Sequence, residues 1–173
     1  MEKQITKVAI FDFDGTLVDT PLKEEGMAIF QEKTGNKWPH RGWWGQPDSL
    51  DTDIFEMPLV PSVKADYDAL KDDEETYKVL LTGRRDIMGD KVKEILDTHG
   101  LDFAEYHFNT GGATETIKMR VMSKLINKFP DAELHIWEDR VEHIAIFATY
   151  LQEKVDTGKL KGFTITLVPA NRH

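Results

Sequence analysis

The sequence contains no cysteine and has few basic residues relative to acidic ones, so that its 173 residues carry a net charge of −9. Without cysteine the chain has no disulfides, no thiolate metal ligands and no cysteine nucleophile. The negative charge disfavours broad electrostatic binding to nucleic acid, although it is compatible with a local basic pocket. It also suits an enzyme that recruits a divalent cation through carboxylates.

Long hydrophobic runs are also missing. The apolar stretch at residues 144–151 is much too short to cross a bilayer, and the first seven residues lack the apolar core of a signal peptide. We therefore expect a cytoplasmic protein without membrane association, and nothing indicates an obligate protein partner. With 40% hydrophobic and 31% charged residues, the composition is that of one globular domain.

Short apolar segments rich in β-forming residues recur along the chain and end in polar or turn residues. Strands are predicted at residues 7–11, 77–81, 103–108, 134–137 and 162–168. Amphipathic helices are predicted at residues 86–99, 114–129 and 141–155. This alternation predicts an α/β protein with a doubly wound parallel sheet that is covered by helices on both faces.

Residues 17–61 do not follow that alternation. A helix is predicted near residues 21–33, closed by Gly35, and the irregular stretch after it has three tryptophans within seven residues. This density of tryptophan argues against disorder, and long irregular inserts in compact domains are usually functional. We predict a single domain, residues 1–173, in which residues 17–61 form a small cap or flap over the end of the first strand.

Four groups of polar residues stand where ligands bind in open parallel sheets, at or near the carboxyl ends of the predicted strands. They are Asp12 with Asp14, the segment Thr82-Gly83-Arg84-Arg85, Lys118, and the segment Glu138-Asp139-Arg140. We expect these groups to gather at one edge of the sheet.

The residue types favour chemistry on a phosphate monoester. A phosphate dianion repels a carboxylate nucleophile, so a cation has to neutralise both, and Mg²⁺ usually takes one or two protein carboxylates. Asp12 and Asp139 are the candidates for these ligands, and Asp12 is also the candidate nucleophile. Asp14 points the same way as Asp12 along an extended segment and suits proton transfer. Gly15 permits the tight turn that follows.

The remaining candidates suit the charge on the phosphate oxygens, which phosphoryl transfer requires the protein to stabilise. The Thr82 hydroxyl and the Gly83 N–H are predicted to bind two of these oxygens, and Lys118 adds a positive charge. Arg84 and Arg140 are planar donors that suit a second phosphate or a substrate backbone.

The order of these motifs resembles that of the haloacid dehalogenase-like (HAD) phosphatases. The matching residues are Asp-x-Asp-Gly-Thr at 12–16, Thr-Gly-Arg at 82–84, Lys118, and Glu-Asp at 138–139. The phrases Leu-Leu-Thr-Gly-Arg-Arg, Gly-Trp-Trp-Gly and Trp-Glu-Asp-Arg-Val-Glu-His are similar to the HAD domain of Swiss Army Knife RNA-repair proteins. The Glu-Asp-Arg segment also resembles the phosphatase half of phage polynucleotide kinase-phosphatases.

This resemblance implies a Rossmann-like HAD fold with Mg²⁺ as cofactor and an aspartyl-phosphate formed on Asp12. It implies the backbone carbonyl of Asp14 as a third metal ligand, and Thr16, in the first motif, is a candidate substrate contact. The implied substrates are RNA or DNA ends, with a 3′-phosphate preferred, or nucleotides.

Several roles remain open from the sequence. Glu138 stands where many relatives have Gly or Asp, and it either supports the site by hydrogen bonds or binds the metal through water. His143 either faces the site, as in the Swiss Army Knife pattern, or lies on the surface of its helix. Trp43 and Trp44 either stack on a nucleobase or pin the cap to the core.

Three other functions compete with a nucleic-acid phosphatase. One is a phosphatase of small metabolites such as sugar phosphates, and another is a HAD-like domain that binds without catalysing. The third is a phospho-accepting receiver domain, which also uses aspartate, threonine, lysine and Mg²⁺. The order of the motifs disfavours it, because in receivers the acidic pair precedes the phosphorylated aspartate.

Overall fold

The computed structural model describes residues 4–169, which contain one sheet of five parallel strands. The strands are β1 (Lys7–Phe11), β2 (Thr76–Arg85), β3 (Glu105–Asn109), β4 (Glu133–Glu138) and β5 (Phe163–Leu167). Their order across the sheet is β3-β2-β1-β4-β5, with every neighbouring pair parallel. The predicted α/β fold with a doubly wound parallel sheet is confirmed.

The helices are α1 (Lys23–Thr34), α2 (Pro61–Leu70), α3 (Gly89–Thr98), α4 (Thr114–Lys128) and α5 (Val141–Asp156). Short 3-10 helices cover Pro47–Leu50 and Asp86–Met88, the second of which occupies the start of the helix predicted at 86–99. Helix α2 was not predicted, although Pro61 in its first turn and the buried Val63 and Tyr67 are signals for it. Within residues 4–169, no helix has both the length and the apolar character needed to cross a membrane.

The central strand β1 is buried on both faces. Phe11 faces a core that includes Tyr67 of α2, whereas its neighbour Ile10 faces a core that includes Val121 of α4 and Phe147 of α5. Both faces of a parallel sheet are covered in this way, and the strand therefore reads as a continuous apolar run.

The strand order indicates where a ligand would bind, and it differs from the order in receiver domains. The chain leaves β1 to form β2 on one side and later returns to form β4 on the other, so the connections diverge at the carboxyl end of β1. Ligands of open α/β sheets bind at such a point. Receiver domains have the flavodoxin-like order 2-1-3-4-5, which differs from the order observed here.

Strand β2 is longer than the predicted strand at 77–81. It continues to Arg85, so that Thr82, Gly83 and Arg84 belong to the strand rather than to a loop after it. Its pairing with β3 becomes irregular between Leu81 and Arg85. The bounds of β1 are those predicted, and the bounds of β3, β4 and β5 differ from the predicted ones by one or two residues.

The long segment between β1 and α2 leaves and rejoins the sheet at nearly the same place. Val18 pairs with Leu59 in an antiparallel bridge, and the Asp19 N–H donates to the Pro58 carbonyl at 2.8 Å. Gly15, with φ of 72°, makes the left-handed turn that precedes this point, as predicted. The predicted helix near 21–33 is α1, which Gly35 ends.

Trp43 fixes this segment to the rest of the molecule. Its side chain is 2% exposed and shares a hydrophobic core with Phe11, and its ring lies 5.4 Å from that of Phe55. Its Nε1–H donates to the Pro21 carbonyl at 3.2 Å. Gly26 leaves room for the ring, because a Cβ there would lie 2.1 Å from it.

The single-domain boundaries and the cap role of residues 17–61 stay predictions. Residues 1–3 and 170–173 of the predicted domain lie outside the described residues.

Candidate active site

Asp12 follows β1 directly and is held at the edge of the sheet. Its N–H donates to the Trp137 carbonyl of β4 at 3.2 Å, and its side chain is 7% exposed. Its Oδ1 lies 3.1 Å from Nζ of Lys118, a buried residue of α4. Since Lys118 Nζ also lies 3.0 Å from Oε1 of Glu138, this one cation joins carboxylates that follow or end two neighbouring strands.

Asp139 lies beside Asp12 across the Thr16 hydroxyl. Thr16 Oγ1 is 3.4 Å from Asp12 Oδ2 and 3.4 Å from Asp139 Oδ1. The side chain of Thr16 is fully buried, bonds to these two carboxylates and does not line the cavity over the site. Its predicted contact with substrate stays a prediction.

The acidic residues around Asp12 fit a magnesium ion. One carboxylate oxygen each from Asp12, Glu138 and Asp139 lie within 4.8 Å of one another. Oxygen is the donor that Mg²⁺ prefers. Three carboxylates around Lys118 also leave an excess of negative charge in a mostly buried place, which a divalent cation would neutralise.

The charges of this cluster perturb one another. Burial, followed by the charge of Glu138, raises the pKa of Asp12 well above its usual value, and Lys118 offsets only part of this. Burial also acts to raise the pKa of Glu138, but the hydrogen bond with His143 and the charge of Lys118 outweigh it and lower that pKa. Burial acts to lower the pKa of Lys118, but Asp12 and Glu138 prevail and raise it. Lys118 is therefore a permanent positive charge beside Asp12.

Glu138, the second carboxylate bound to Lys118, also contacts His143. Glu138 Oε1 lies 3.0 Å from His143 Nδ1, and its Oε2 accepts the Asp139 N–H at 3.1 Å. The alternative that His143 lies on the helix surface is wrong, because its side chain is 2% exposed. With both of its oxygens already bound by protein groups, Glu138 suits a supporting role better than that of a ligand through water.

Asp14 lines the same cavity as Asp12 but has a different set of partners. Arg84 donates to both of its carboxylate oxygens, from Nη2 at 2.8 Å and from Nε at 2.9 Å. The Thr20 hydroxyl donates to Asp14 Oδ1 at 2.7 Å. Arg84 is 3% exposed, and its guanidinium binds this carboxylate through two nitrogens. The sequence predicted a contact between Arg84 and substrate and did not predict this contact with Asp14.

A cavity of about 800 Å³ opens over these side chains. It is lined by many of the residues that the sequence predicted for the site: Asp12, Asp14, Trp44, Gly83, Arg84, Lys118, Asp139, Arg140 and His143. Motif reasoning missed the residues that complete the wall: Leu22, Thr114, Val141, Glu142, Leu167, Val168 and Pro169. Of these, Thr114 carried a signal because it begins a helix beside the lysine motif, and Val141 and Glu142 stand within the phrase that ends at His143. The other apolar residues of the wall belong to no motif.

Of four further residues predicted for the site, Thr82 and Trp43 do not line the cavity, whereas Trp44 and Arg140 do. Thr82 is fully buried, and its Oγ1 accepts the Arg84 N–H at 3.1 Å, so the structure does not bring its side chain to the cavity. Of the two neighbouring tryptophans, Trp43 is the packing residue, while Trp44 is 41% exposed at the cavity. Arg140 stands half exposed at the rim, where its Nε lies 3.0 Å from Glu142.

Solved structures with the same fold define the class of protein. The HAD domain of effector protein Lem4 from Legionella pneumophila is similar over 98% of this chain and 89% of its own, with a TM-score of 0.57 and 13% identity. A chain in the structure of a Pnkp1/Rnl/Hen1 complex is similar over 99% of this chain and 49% of its own, with a TM-score of 0.61 and 14% identity. The fold is therefore that of HAD domains.

The family within this class follows from the sequence. The model of HAD domain family 1 in Swiss Army Knife RNA repair proteins matches residues 27–173, and the chain belongs to that family. The match includes Lys118, Glu138 and Asp139, and it begins after Asp12 and Asp14.

A relative in Saccharomyces cerevisiae, the uncharacterized protein YMR265C, is 28% identical over 196 residues. The match covers 97% of this chain and 41% of the relative. The chain thus spans about two fifths of the length of this relative, and about half of the matched chain in the Pnkp1/Rnl/Hen1 complex.

Proposed function

We propose that the chain is a Mg²⁺-dependent phosphomonoesterase that acts through an aspartyl-phosphate on Asp12. The observation that carries this proposal is the environment of Asp12. It is a carboxylate at the end of the central strand, 3.1 Å from Lys118 and grouped with Asp139 and Glu138 at the floor of an open cavity. Membership of a HAD family supports the same chemistry.

In the first step, a carboxylate oxygen of Asp12 forms a bond to phosphorus while the bond from phosphorus to the ester oxygen breaks. Asp14 gives its proton to the departing oxygen, so that the product leaves as an alcohol. In the second step, the Asp14 carboxylate takes a proton from water as the water oxygen attacks phosphorus. The bond from Asp12 to phosphorus then breaks, and inorganic phosphate and free Asp12 are released.

Charge neutralisation is shared among several groups. Asp12, Asp139 and the Asp14 carbonyl would hold Mg²⁺, which when bound would offset the negative charge of the phosphate and the nucleophile. Lys118 supplies a further positive charge next to Asp12, and Gly83, which lines the cavity, is the proposed N–H donor to a phosphate oxygen.

For the substrate we propose nucleic-acid ends, a 3′-phosphate above all, or nucleotides. The family is described as belonging to RNA repair proteins, and the Pnkp1/Rnl/Hen1 complex contains a chain of the same fold. The exposed Trp44 at the cavity offers an aromatic face on which a base can stack. The net charge of −9 favours such local contacts over binding along a duplex.

A phosphatase of small metabolites is the second candidate. The cavity volume of about 800 Å³ supports it, since it lies within the range of sites that enclose small molecules.

The test is a panel of phosphate-release assays with Mg²⁺. The panel compares 3′- and 5′-phosphorylated oligonucleotides, mononucleotides and sugar phosphates, each with and without a chelator. We expect the 3′-phosphorylated oligonucleotide to be the best substrate and the chelator to stop release. Mass spectrometry of acid-quenched protein should find phosphate on Asp12.

Release that persists after chelation would contradict the metal dependence. Faster release from sugar phosphates would favour the second candidate. Binding of phosphate esters without any turnover would identify a domain that binds and does not catalyse.

A further inference from the structure

The carboxylate of Asp14 is fixed by more bonds than a freely rotating proton donor would have. A carboxylate has about four acceptor positions, of which Arg84 occupies two and the Thr20 hydroxyl occupies one. The position left after these three bonds is on Oδ2. The direction in which Asp14 can exchange a proton is therefore set by Arg84.

Arg84 is in turn fixed by the segment that separates β1 from α2. Its Nη1 donates to Ser49 Oγ at 2.7 Å and to the Trp44 carbonyl at 3.0 Å. Ser49 is fully buried, and its own hydroxyl donates to the Gln46 carbonyl at 2.6 Å, so its oxygen lone pairs remain to accept from Arg84. The guanidinium carbon also lies 5.0 Å from the centre of the Trp44 ring.

We propose that Ser49 and Arg84 are a positioning pair that orients Asp14 for proton transfer and that couples this orientation to residues 44–49. The proposal rests on the proposed function, in which Asp14 is the proton-transfer residue. One guanidinium holds both the Asp14 carboxylate and the backbone of Trp44, whose ring faces the cavity. A movement of residues 44–49 therefore reaches Asp14 through a single side chain.

The geometry requires arginine at this position. Two parallel bonds to one carboxylate and a third nitrogen directed at Ser49 need the planar fork of a guanidinium. A lysine keeps the charge but has neither the fork nor the second direction. Arg84→Lys thus keeps the positive charge and removes the planar fork that orients Asp14. Ser49→Ala removes the hydrogen bond between Ser49 and Arg84 and leaves Arg84 itself unchanged.

The test compares two esters with different leaving groups. An alkyl phosphate needs a proton on the departing oxygen, whereas p-nitrophenyl phosphate, whose leaving group is stable as an anion, needs it much less. We expect kcat/KM, which reports only the steps up to departure of the leaving group, to fall for the alkyl ester about 10-fold in Ser49→Ala and about 100-fold in Arg84→Lys. For the aryl ester both losses should stay below about threefold. Ser62→Ala, an exposed serine of α2, is the matched control and should leave both rates unchanged.

A double-mutant cycle completes the test. Ser49→Ala should add little to the loss in the Arg84→Lys background, because the bond it removes is already gone. The same cycle applied to the free energy of unfolding should be non-additive and does not depend on catalysis. Equal losses on the two esters, or additivity in the cycles, would overturn the proposal.

The two proposals fail in different ways. If the unsubstituted protein releases phosphate from neither ester, the proposed function falls, and the unfolding cycle still decides whether Ser49 and Arg84 act as a pair.

Discussion

The two aspartates of the first motif are two residues apart, yet different parts of the molecule hold them. Asp12 is bound to Lys118 of α4, and Lys118 is bound to Glu138 at the end of β4. Asp14 is bound to Arg84, whose remaining nitrogen is bound to Ser49 in the long segment after β1. The proposed nucleophile thus belongs to the sheet and its helices, and the proposed proton donor is tied to the insert.

This difference corresponds to two kinds of energetic demand. The surroundings of Asp12 are rich in buried charge, and Lys118 is the cation that makes that concentration of carboxylates tolerable. The surroundings of Asp14 form a chain of directed hydrogen bonds, in which geometry matters more than charge. Substitutions around Asp12 should therefore impair stability as well as chemistry, whereas substitutions around Asp14 should mainly impair the geometry of proton transfer.

Substitution of the proposed nucleophile should have the largest effect. We expect Asp12→Asn to lower phosphate release on the order of 10⁴-fold or more, because no covalent intermediate can form. The fold should persist, since Lys118 keeps Glu138 as a partner. Circular dichroism and phosphate release measure the two results, and Asp97→Asn, an exposed aspartate of α3, is the control. Near-normal activity in Asp12→Asn would remove the covalent mechanism.

Removal of the central cation should destabilise the fold as well as the chemistry. Lys118→Met leaves two buried carboxylates, Asp12 and Glu138, facing each other without a positive charge between them. We expect the free energy of unfolding to fall by about 3–5 kcal/mol, measured with urea. Lys124→Met, on the exposed face of the same helix, should change it by less than about 0.5 kcal/mol. Equal effects of the two substitutions would show that the cluster around Asp12 is not maintained by its lysine.

Substitution of the two adjacent tryptophans should have different effects, one on stability and the other on substrate binding. Trp43→Ala empties a buried site, and we expect it to lower the free energy of unfolding by about 3–5 kcal/mol. Trp44→Ala should change that free energy by no more than about 0.5 kcal/mol. It should raise KM about 10-fold for oligonucleotide ends, and leave KM for sugar phosphates unchanged. If KM for both substrate types stays the same, Trp44 does not stack on a base.

A charge network remote from the cavity shows how much less buried ion pairs contribute to the free energy of unfolding. Glu105 Oε2 lies 2.7 Å from Lys128 Nζ, and its Oε1 lies 2.8 Å from His107. Burial acts to raise the pKa of Glu105, but hydrogen bonds from Lys128, Tyr77 and His107 outweigh it and lower the pKa to about 2. The stability from this carboxylate is therefore present above its ordinary pKa of 4.5 and is lost as the pH falls towards 2.

We expect Glu105→Gln to lower the free energy of unfolding at pH 7 by about 1 kcal/mol, a small value because Lys128 is half exposed. The difference from the unsubstituted protein should shrink between pH 4.5 and pH 3, which urea unfolding at several pH values would measure. Glu153→Gln, with a well-exposed side chain, is the control. A difference that is constant with pH would assign the effect to packing rather than to charge.

The sequence predicted the residues around Asp12 better than those around Asp14, for a physical reason. Asp12 and Asp139 directly follow parallel strands, and such strand ends meet at one edge of the sheet whatever the intervening chain does. The Arg84–Ser49 contact joins residues 35 positions apart through an irregular segment, in which no periodicity indicates the partner. Likewise, composition does not distinguish Trp43 from Trp44, since a turn of the backbone decides which ring is buried.

Because the insert leaves the sheet at Val18 and returns beside it at Leu59, its length is not part of the geometry of the sheet. A connection whose two ends already touch can grow, shrink or be exchanged at a small entropic cost. Evolution can therefore vary this segment, which contributes Leu22 and Trp44 to the cavity lining, while the sheet and the Asp12 cluster stay the same. Any replacement must nevertheless provide an acceptor for Arg84, and this one requirement limits which new substrates such a change can reach.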